Sequence, residues 1–584
     1  MKMLTDNLLN EFPPVSTQKW EDVIRKDLKG ADYSKKLIWQ TAEGLAVKPY
    51  YRAEDIAGLE HLDTALAKSP FLRDGHSPGN WHICEEIPAS DSEEASRAAC
   101  RSLAAGAEEI VFLNVVIESA ADLRIALANL RKVPLRFQNA DERSILLLIE
   151  RLSNKQEKSP VSTGWNPLTN LAFAAEVVTT ALPDFIPFTI HGEEFEESGA
   201  TTIEEVGFTL AAGVDYLAAM QARKVNLDRA AASLIFSFAI GSNYFFQIAK
   251  LRAFRMLWAQ VVESFGIGRN TVQARIHART SRWNKTIYDP HVNILRGTTE
   301  AMSAILGGAD SISVAPFDEC YKAPDEASRR LARNTQVLLK HEAFFSRVAD
   351  PGGGSYYLES ITDSIARASW ELMQKIESHG GFRKATKDGD IARALEQSLA
   401  SREKAVTVRT RIFTGTNNYA DASEHALDRI DLPHIQPAKR GSKLYEDLRL
   451  RTERHIAKGG KCPRVLLAEF GDVKMRGARS NFAANFFACA GFDSLTQRFD
   501  SPGEIAASDV DLIVLCSSDA EYLALTTELL PTLRLLERRT PVLIAGRPDA
   551  EEQLKAAGIS DFVHIRTNPI DFLTAWQHRL GIRD

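Results

Sequence analysis

The chain has 584 residues, of which 44% are hydrophobic and 25% charged, the balance of a folded protein with two to four domains of about 150 residues each. A formal net charge of -6 with no dense Lys/Arg block excludes a general nucleic-acid binder, while leaving room for local basic sites that hold a phosphorylated ligand. No apolar run approaches the roughly 20 residues that span a bilayer, which excludes a helical membrane protein.

Met1 to Phe12 mixes Lys2, Asp6 and Glu11 with apolar residues and lacks the pattern of a signal peptide, so a cytoplasmic protein is expected. The cysteines are Cys84, Cys100, Cys320, Cys462, Cys489 and Cys516. None forms a Cys-x-x-Cys pair, and they read as reduced, mostly buried thiols rather than a disulfide frame or a zinc site.

In chain order, residues 1–34 read as an arm, with an amphipathic stretch Trp20–Leu28 that packs on something else. Residues 35–383 alternate strand-like and helix-like stretches. Glu109–Val116, Val133–Phe137, Phe185–Ile190, Ala274–Ala278 and Ile312–Ala315 are the predicted strands, and Ala120–Leu130 and Ala140–Leu152 are predicted helices. This alternation suits a (β/α)8 barrel with chemistry at the strand C-terminal ends, and a large open sheet gives the same pattern. Residues 384–460 are charged and interrupted, with Thr414-Gly415-Thr416-Asn417-Asn418 and Leu432-Pro433, and read as a linker with some helix.

From residue 461 to 584 five apolar runs alternate with helical stretches. The runs are Val465–Ala468, Ser494–Gln497, Leu512–Cys516, Val542–Ala545 and Phe562–Ile565, with helices expected at Ala478–Ala490 and Ala520–Leu536. That spacing predicts a compact, doubly wound α/β domain of flavodoxin type with a parallel sheet covered on both faces.

Several long motifs then occur in one family's order. Trp20-Glu21, Thr41-Ala42-Glu43-Gly44 and Val47-Lys48-Pro49-Tyr50-Tyr51 come first. Asp289-Pro290-His291-Val292-Asn293-Ile294-Leu295-Arg296-Gly297-Thr298-Thr299-Glu300 and Leu306-Gly307-Gly308-Ala309 follow. Ala332-Arg333-Asn334-Thr335-Gln336 and Val348-Ala349-Asp350-Pro351-Gly352-Gly353-Gly354-Ser355-Tyr356-Tyr357 are the most specific. Across essentially its whole length the chain resembles the methylmalonyl-CoA mutase family. The resemblance implies a mutase-type TIM barrel followed by a cobalamin-binding-type domain. It also implies radical isomerisation of acyl-CoA thioesters on adenosylcobalamin, with the pantetheine chain threaded through the barrel. The cofactor supplies the radical; the protein supplies binding and orientation.

Against that family pattern the functional positions are altered. The family's cobalt ligand sits in Asp-x-His-x-x-Gly, and here Asp472 and Gly477 keep their places while Lys474 replaces the histidine. A lysine ammonium has donors and no lone pair; it reads either as an unusual ligand with a strongly lowered pKa or as a surface lysine. The cofactor-tail positions Ser517 and Gly546 remain, but Asp519 stands for the usual Leu and Ala545 for the first Gly.

In the substrate stretch Glu193 and Glu194 replace a Tyr-His pair whose histidine donates to the thioester carbonyl. Ionised Glu only accepts hydrogen bonds. It also repels a substrate carboxylate, by roughly 4 kcal/mol at about 4 Å and an effective dielectric of 20. The two glutamates read either as an acid/base pair with one raised pKa or as a solvated charged turn. His76-Ser77-Pro78-Gly79-Asn80-Trp81 departs from the family's Tyr- and Arg-bearing approach, and no carboxylate-gripping arginine stretch is found between Ser153 and Asp184. In Ala315-Pro316-Phe317-Asp318-Glu319 alanine stands where asparagine is usual. His277 matches a barrel histidine and, like His191, reads as catalytic or as a hydrogen-bonded core residue.

These departures together imply the small, non-catalytic subunit of the heterodimeric enzyme of propionate metabolism. On that reading this chain has no catalytic residues and holds neither cofactor nor metal. The large subunit binds adenosylcobalamin and interconverts (R)-methylmalonyl-CoA and succinyl-CoA, and the arm wraps that partner. The alternatives are an autonomous acyl-CoA mutase with an atypical site and a non-enzymatic acyl-CoA-binding module.

Overall fold

The computed structural model describes residues 14–63, 68, 81–89, 91–130, 132–153, 160–180, 182, 185–268, 271–431, 439–507, 509–535, 537 and 539–583. Two parallel sheets organise them.

The first sheet is built from β1 (His82–Ile87), β2 (Glu109–Phe112), β3 (Leu135–Phe137), β4 (Val161–Thr163), β5 (Phe185–Ile186 with Phe188–His191), β6 (Leu234–Ile240), β7 (Ile276–Thr280) and β8 (Ser311–Ser313). Its order begins on the first half of β5 and runs through β4, β3, β2, β1, β8, β7 and β6 to the second half of β5. Pro187 separates those halves. It has no N–H to give to a ladder, and its carbonyl instead accepts Thr163 Oγ at 2.5 Å. The sheet is therefore a closed eight-stranded barrel with one strand broken at a proline, as the alternation of elements predicts.

Barrel interiors are ordinarily filled by branched aliphatic side chains. Here the two-residue alternation turns Cys84, Glu86, Glu109, Arg136, Ser162, His277, Arg279, Ser311 and Ser313 inward. Small and paired polar groups leave space, and a cavity of about 330 Å³ remains at the amino-terminal mouth. The apolar residues face the covering helices, with Trp258 wholly buried against Gly213; a Cβ on that glycine would stand 2.6 Å from the indole.

Strand extents differ in places from the sequence expectation. The run predicted over Glu109–Val116 stops at Phe112, and Val116 is exposed. The strand predicted at Ala274–Ala278 lies two residues further on. The arm carries a helix, Thr17–Asp27, none of whose residues is buried by this chain.

Residues 390–457 hold two long helices, Asp390–Thr407 and Lys443–Ala457. The second joins the two sheets' layers. Its Glu446 accepts Ile287 N at 3.0 Å and its Glu453 accepts Tyr288 OH at 2.7 Å on the barrel side. On the other side Thr452 Oγ donates to Ala490 O at 2.7 Å. Four charges of this stretch, Arg402, Glu446, Arg449 and Glu453, are thus buried, which its composition does not reveal.

The second sheet has the order β10-β9-β11-β12-β13, built from β9 (Arg464–Glu469), β10 (Asp493–Arg498), β11 (Leu512–Cys516), β12 (Val542–Ala545) and β13 (Asp561–Val563). This is the flavodoxin-type order, with its switch point between the first and third strands. β11 and β12 coincide with the predicted runs because strands buried on both faces are continuously apolar. The helix expected at Ala478–Ala490 instead begins at Val473, capped by Asp472. Among the described residues no helix is long and apolar enough to cross a membrane.

Candidate functional site

The carboxyl ends of the barrel strands, where barrel enzymes carry their chemistry, are occupied by paired charges. β5 ends on His191, and the helix Gly192–Glu197 follows at once. His191 Nδ1 lies 2.8 Å from Glu193 Oε1 and Nε2 lies 2.7 Å from the Gly164 carbonyl. Both partners are acceptors, so the ring donates from both nitrogens and is an imidazolium. Burial opposes that charge, but Glu193's charge and hydrogen bond and the Gly164 carbonyl prevail and raise the pKa to about 9. Glu193 is correspondingly held below its usual value against its own burial. It is no solvated turn residue; Glu194 is the exposed member of the pair.

Four further carboxylates close the mouth. Arg279 donates to Glu86 at 2.8 and 3.1 Å and to Glu319 at 2.7 and 2.9 Å. Arg282 donates to Glu319 at 3.0 Å and to Glu197 at 3.3 Å. Burial alone raises a carboxyl's pKa, but the two guanidiniums bring Glu319 down to about 2. Glu196 accepts Arg402 at 2.7 Å and Ser281 Oγ at 2.9 Å. Arg402 and Arg411 both stack on Trp283, their guanidinium carbons 4.0 and 4.5 Å from a ring centroid. Gly441 passes against the same indole, where a Cβ would stand 2.6 Å away. In this cluster Arg279, Arg282 and Arg402 are each held by carboxylates, while Arg411 donates to Ser242 Oγ at 3.3 Å.

His277 lies in the other layer of the interior, toward the amino-terminal mouth. Its Nδ1 is 2.7 Å from Ser311 Oγ, and burial with the nearby charges of Arg136 and Arg279 pushes its pKa well down, leaving it neutral. Asp318 is wholly buried with Lys322 3.2 Å away, so the Asp318–Glu319 pair splits, Asp318 facing Lys322 and Glu319 facing Arg279 and Arg282. His76 to Asn80 lie outside the described residues. Trp81 donates its indole N–H to Gln336 at 3.2 Å.

In the second sheet, Asp472 caps the helix Val473–Ala488 by accepting Met475 N at 2.8 Å. Lys474 is exposed in the first turn, and Gly477 has open space where a Cβ would stand. Ser517 Oγ donates to the Phe470 carbonyl at 3.1 Å and to Glu521 at 2.5 Å. Arg479 reaches from the helix over the carboxyl ends of β11 and β12. It donates to Asp519 at 2.7 Å, to Tyr522 OH at 3.2 Å and to the Ala545 carbonyl at 2.5 Å. Gly546, at φ +141°, lies under it; a Cβ there would stand 1.4 Å from Arg479 Nη1. A cavity of about 540 Å³ is left beside this plug, walled by Arg479, Phe482, Arg547, His564 and Arg566.

The family model described as Methylmalonyl-CoA mutase matches residues 163–462. The chain is 36% identical to the Methylmalonyl-CoA mutase small subunit of Porphyromonas gingivalis over 99% of both chains. It is 31% identical to the Methylmalonyl-CoA mutase small subunit of Streptomyces virginiae over 100% of both. This chain belongs to the methylmalonyl-CoA mutase family. A further member, the Methylmalonyl-CoA mutase of Rhizobium meliloti, is 29% identical over 74% of this chain and 68% of its own.

Within this family of cobalamin-dependent isomerases, the altered positions fall into two groups in space. Glu193 and Glu194 belong to the charged mouth of the barrel; Asp519 and Ala545 both accept from Arg479 in the second domain, where Lys474 is exposed on the same helix. Sequence reasoning did not single out Arg279, Arg282, Arg402, Trp283, Arg479 or Tyr522. The available signal was Arg279 and Arg282 on either side of the end of a strand at Thr280, where barrel chemistry sits. Arg402 and Arg479 come from helices, and nothing local marks their reach.

Proposed function

We propose that this chain is the non-catalytic small subunit of a heterodimeric methylmalonyl-CoA mutase, acting in the cytoplasm. A catalytic large subunit binds adenosylcobalamin and interconverts (R)-methylmalonyl-CoA and succinyl-CoA. The observation that carries this reading is the His191–Glu193 ion pair, together with the exposed acceptor Glu194, at the barrel mouth where the family's active chains present a hydrogen-bond donor.

The second domain supports it. A corrin cobalt needs a lone pair below it, and Lys474 is an exposed ammonium in a helical turn. The crevice that would take the cofactor's tail is crossed by Arg479. These residues do not fit a cobalamin, so no catalytic step is assigned to this chain.

Its contribution is to fold and to cover its partner. A chain free of catalytic geometry still binds the native partner and stabilises it by mass action. The arm helix Thr17–Asp27, with Trp20 and Val23 exposed, is the segment assigned to wrap that partner.

The test is mutase turnover with adenosylcobalamin and methylmalonyl-CoA, for this chain alone and after co-expression with a large chain. Silence alone and turnover in an equimolar complex are expected. Turnover by this chain alone overturns the proposal.

A further inference from the structure

The amino-terminal mouth of the barrel carries a cluster that the charged carboxyl-terminal mouth does not use. Cys84 of β1 and Glu109 of β2 are ladder partners. His277 of β7 lies across β8 from them, since His277 pairs with Ser311 and Ser311 with His82. One donor atom from each of Cys84, Glu109 and His277 lies within 4.8 Å of the others, and all three residues are buried.

We propose that Cys84, Glu109 and His277 form a binding site for a zinc-class divalent cation, with its fourth position open to the barrel cavity. Sulfur, imidazole nitrogen and carboxylate oxygen are the donor types of tetrahedral zinc, and three protein ligands with one open place is the pattern of a site that keeps a water. Bonds of about 2.0–2.3 Å put tetrahedral ligand atoms about 3.3–3.8 Å apart, a contraction that side-chain rotation supplies. Strands supply all three ligands, so their positions are held by the barrel rather than by a loop.

The surroundings orient the ligands. Ser311 Oγ holds His277 Nδ1 at 2.7 Å, which leaves Nε2 for the metal. Arg136 donates to Glu109 Oε1 at 3.0 Å and fixes the carboxylate, leaving Oε2, which has His82 Nδ1 3.7 Å away, for coordination. Ser313 Oγ, beside Cys84, is buried and has no partner of ordinary geometry, so it is placed to donate to a thiolate or a bound water. Glu109 and His277 line the cavity of about 330 Å³, whose apolar walls include Leu135, Val161, Ile235 and Ile276. A water-sized fourth ligand has room there. Binding converts the Cys84 thiol to a thiolate and releases its proton to solvent; with Glu109 shared between the ion and Arg136, the site keeps a net positive charge.

The experiment uses the full chain, stripped with a chelator and titrated with Co²⁺. One equivalent is expected to bind with a thiolate-to-cobalt charge-transfer band that Zn²⁺ abolishes. Cys84→Ser and His277→Ala are each expected to lose the band while keeping the wild-type circular dichroism. In the wild-type chain, Zn²⁺ is expected to slow alkylation of Cys84 at least tenfold, read by peptide mass, which decides the matter even where a variant fails to fold. Absence of the band in the wild-type chain, or a band that survives both substitutions, overturns the site.

Discussion

His191 and Glu193 stand 2.8 Å apart at the end of β5, and the carbonyl of Gly164 takes the other ring nitrogen. The pair is an imidazolium–carboxylate couple that fixes the first turn after the strand. His191's pKa is raised, so its contribution to stability is complete below the unfolded value of about 6.5. That contribution is lost as pH rises through about 9. Glu193's pKa is lowered, so its contribution is present above about 4.5 and is lost on acidification.

Glu193→Ala is therefore expected to destabilise the chain by about 3 kcal/mol at pH 6, as removal of one partner from a buried ion pair does. The cost is expected to shrink by at least half at pH 9.5. Urea midpoints of the two proteins at both pH values check this; an equal cost at both contradicts the ion pair.

Gly546→Ala places a methyl group on Arg479 and forces a side chain into φ +141°. A loss of about 2–3 kcal/mol is expected from the clash and the backbone together. Adding Arg479→Ala removes the clash and leaves the backbone strain. A double-mutant cycle by chemical denaturation is expected to show coupling of about 1 kcal/mol or more; additive effects contradict the contact.

Trp283 is wholly buried between the barrel mouth and the segment that crosses it, stacked by Arg402 and Arg411. Trp283→Ala is expected to cost about 3–5 kcal/mol and to open residues 409–419 to limited proteolysis, while Trp283→Phe costs less. Unchanged cleavage in the alanine variant contradicts the clamp.

Lys474→His returns an imidazole to the position of the family's ligand but leaves Arg479 across the crevice. The variant is expected to show no adenosylcobalamin co-eluting on gel filtration. Arg479→Ala is expected to leave the Lys474 protein equally empty, because an ammonium has no lone pair to give. Cofactor retained by either single variant contradicts the two-fold block.

How much of this was legible depended on locality. β11 and β12 were readable because a strand buried on both faces is a short, continuous apolar run. β1 and β4 read His-Ile-Cys-Glu-Glu-Ile and Val-Ser-Thr, with polar residues facing a hollow interior, and that conceals the strand signal, while β8 overlaps the run predicted at Ile312–Ala315. Lys474 and Glu194 stood out because each breaks a short motif at a known offset. The groups that explain them did not, because they come from distant segments: Arg479 meets Ala545 66 residues on, and Arg279 meets Glu86 across 193. The Cys84–Glu109–His277 cluster escaped for the same reason. Cysteine spacing finds metal sites built within one loop, whereas this one is assembled by strand register.

The most direct test of the central claim is the cobalamin content of the purified equimolar complex with the large subunit, counted by absorbance against protein mass. One cobalamin per pair of chains is the predicted result, since this chain offers neither a ligand at Lys474 nor an open crevice at Arg479. Two per pair would place cofactor on this chain and contradict its assignment as the non-catalytic subunit.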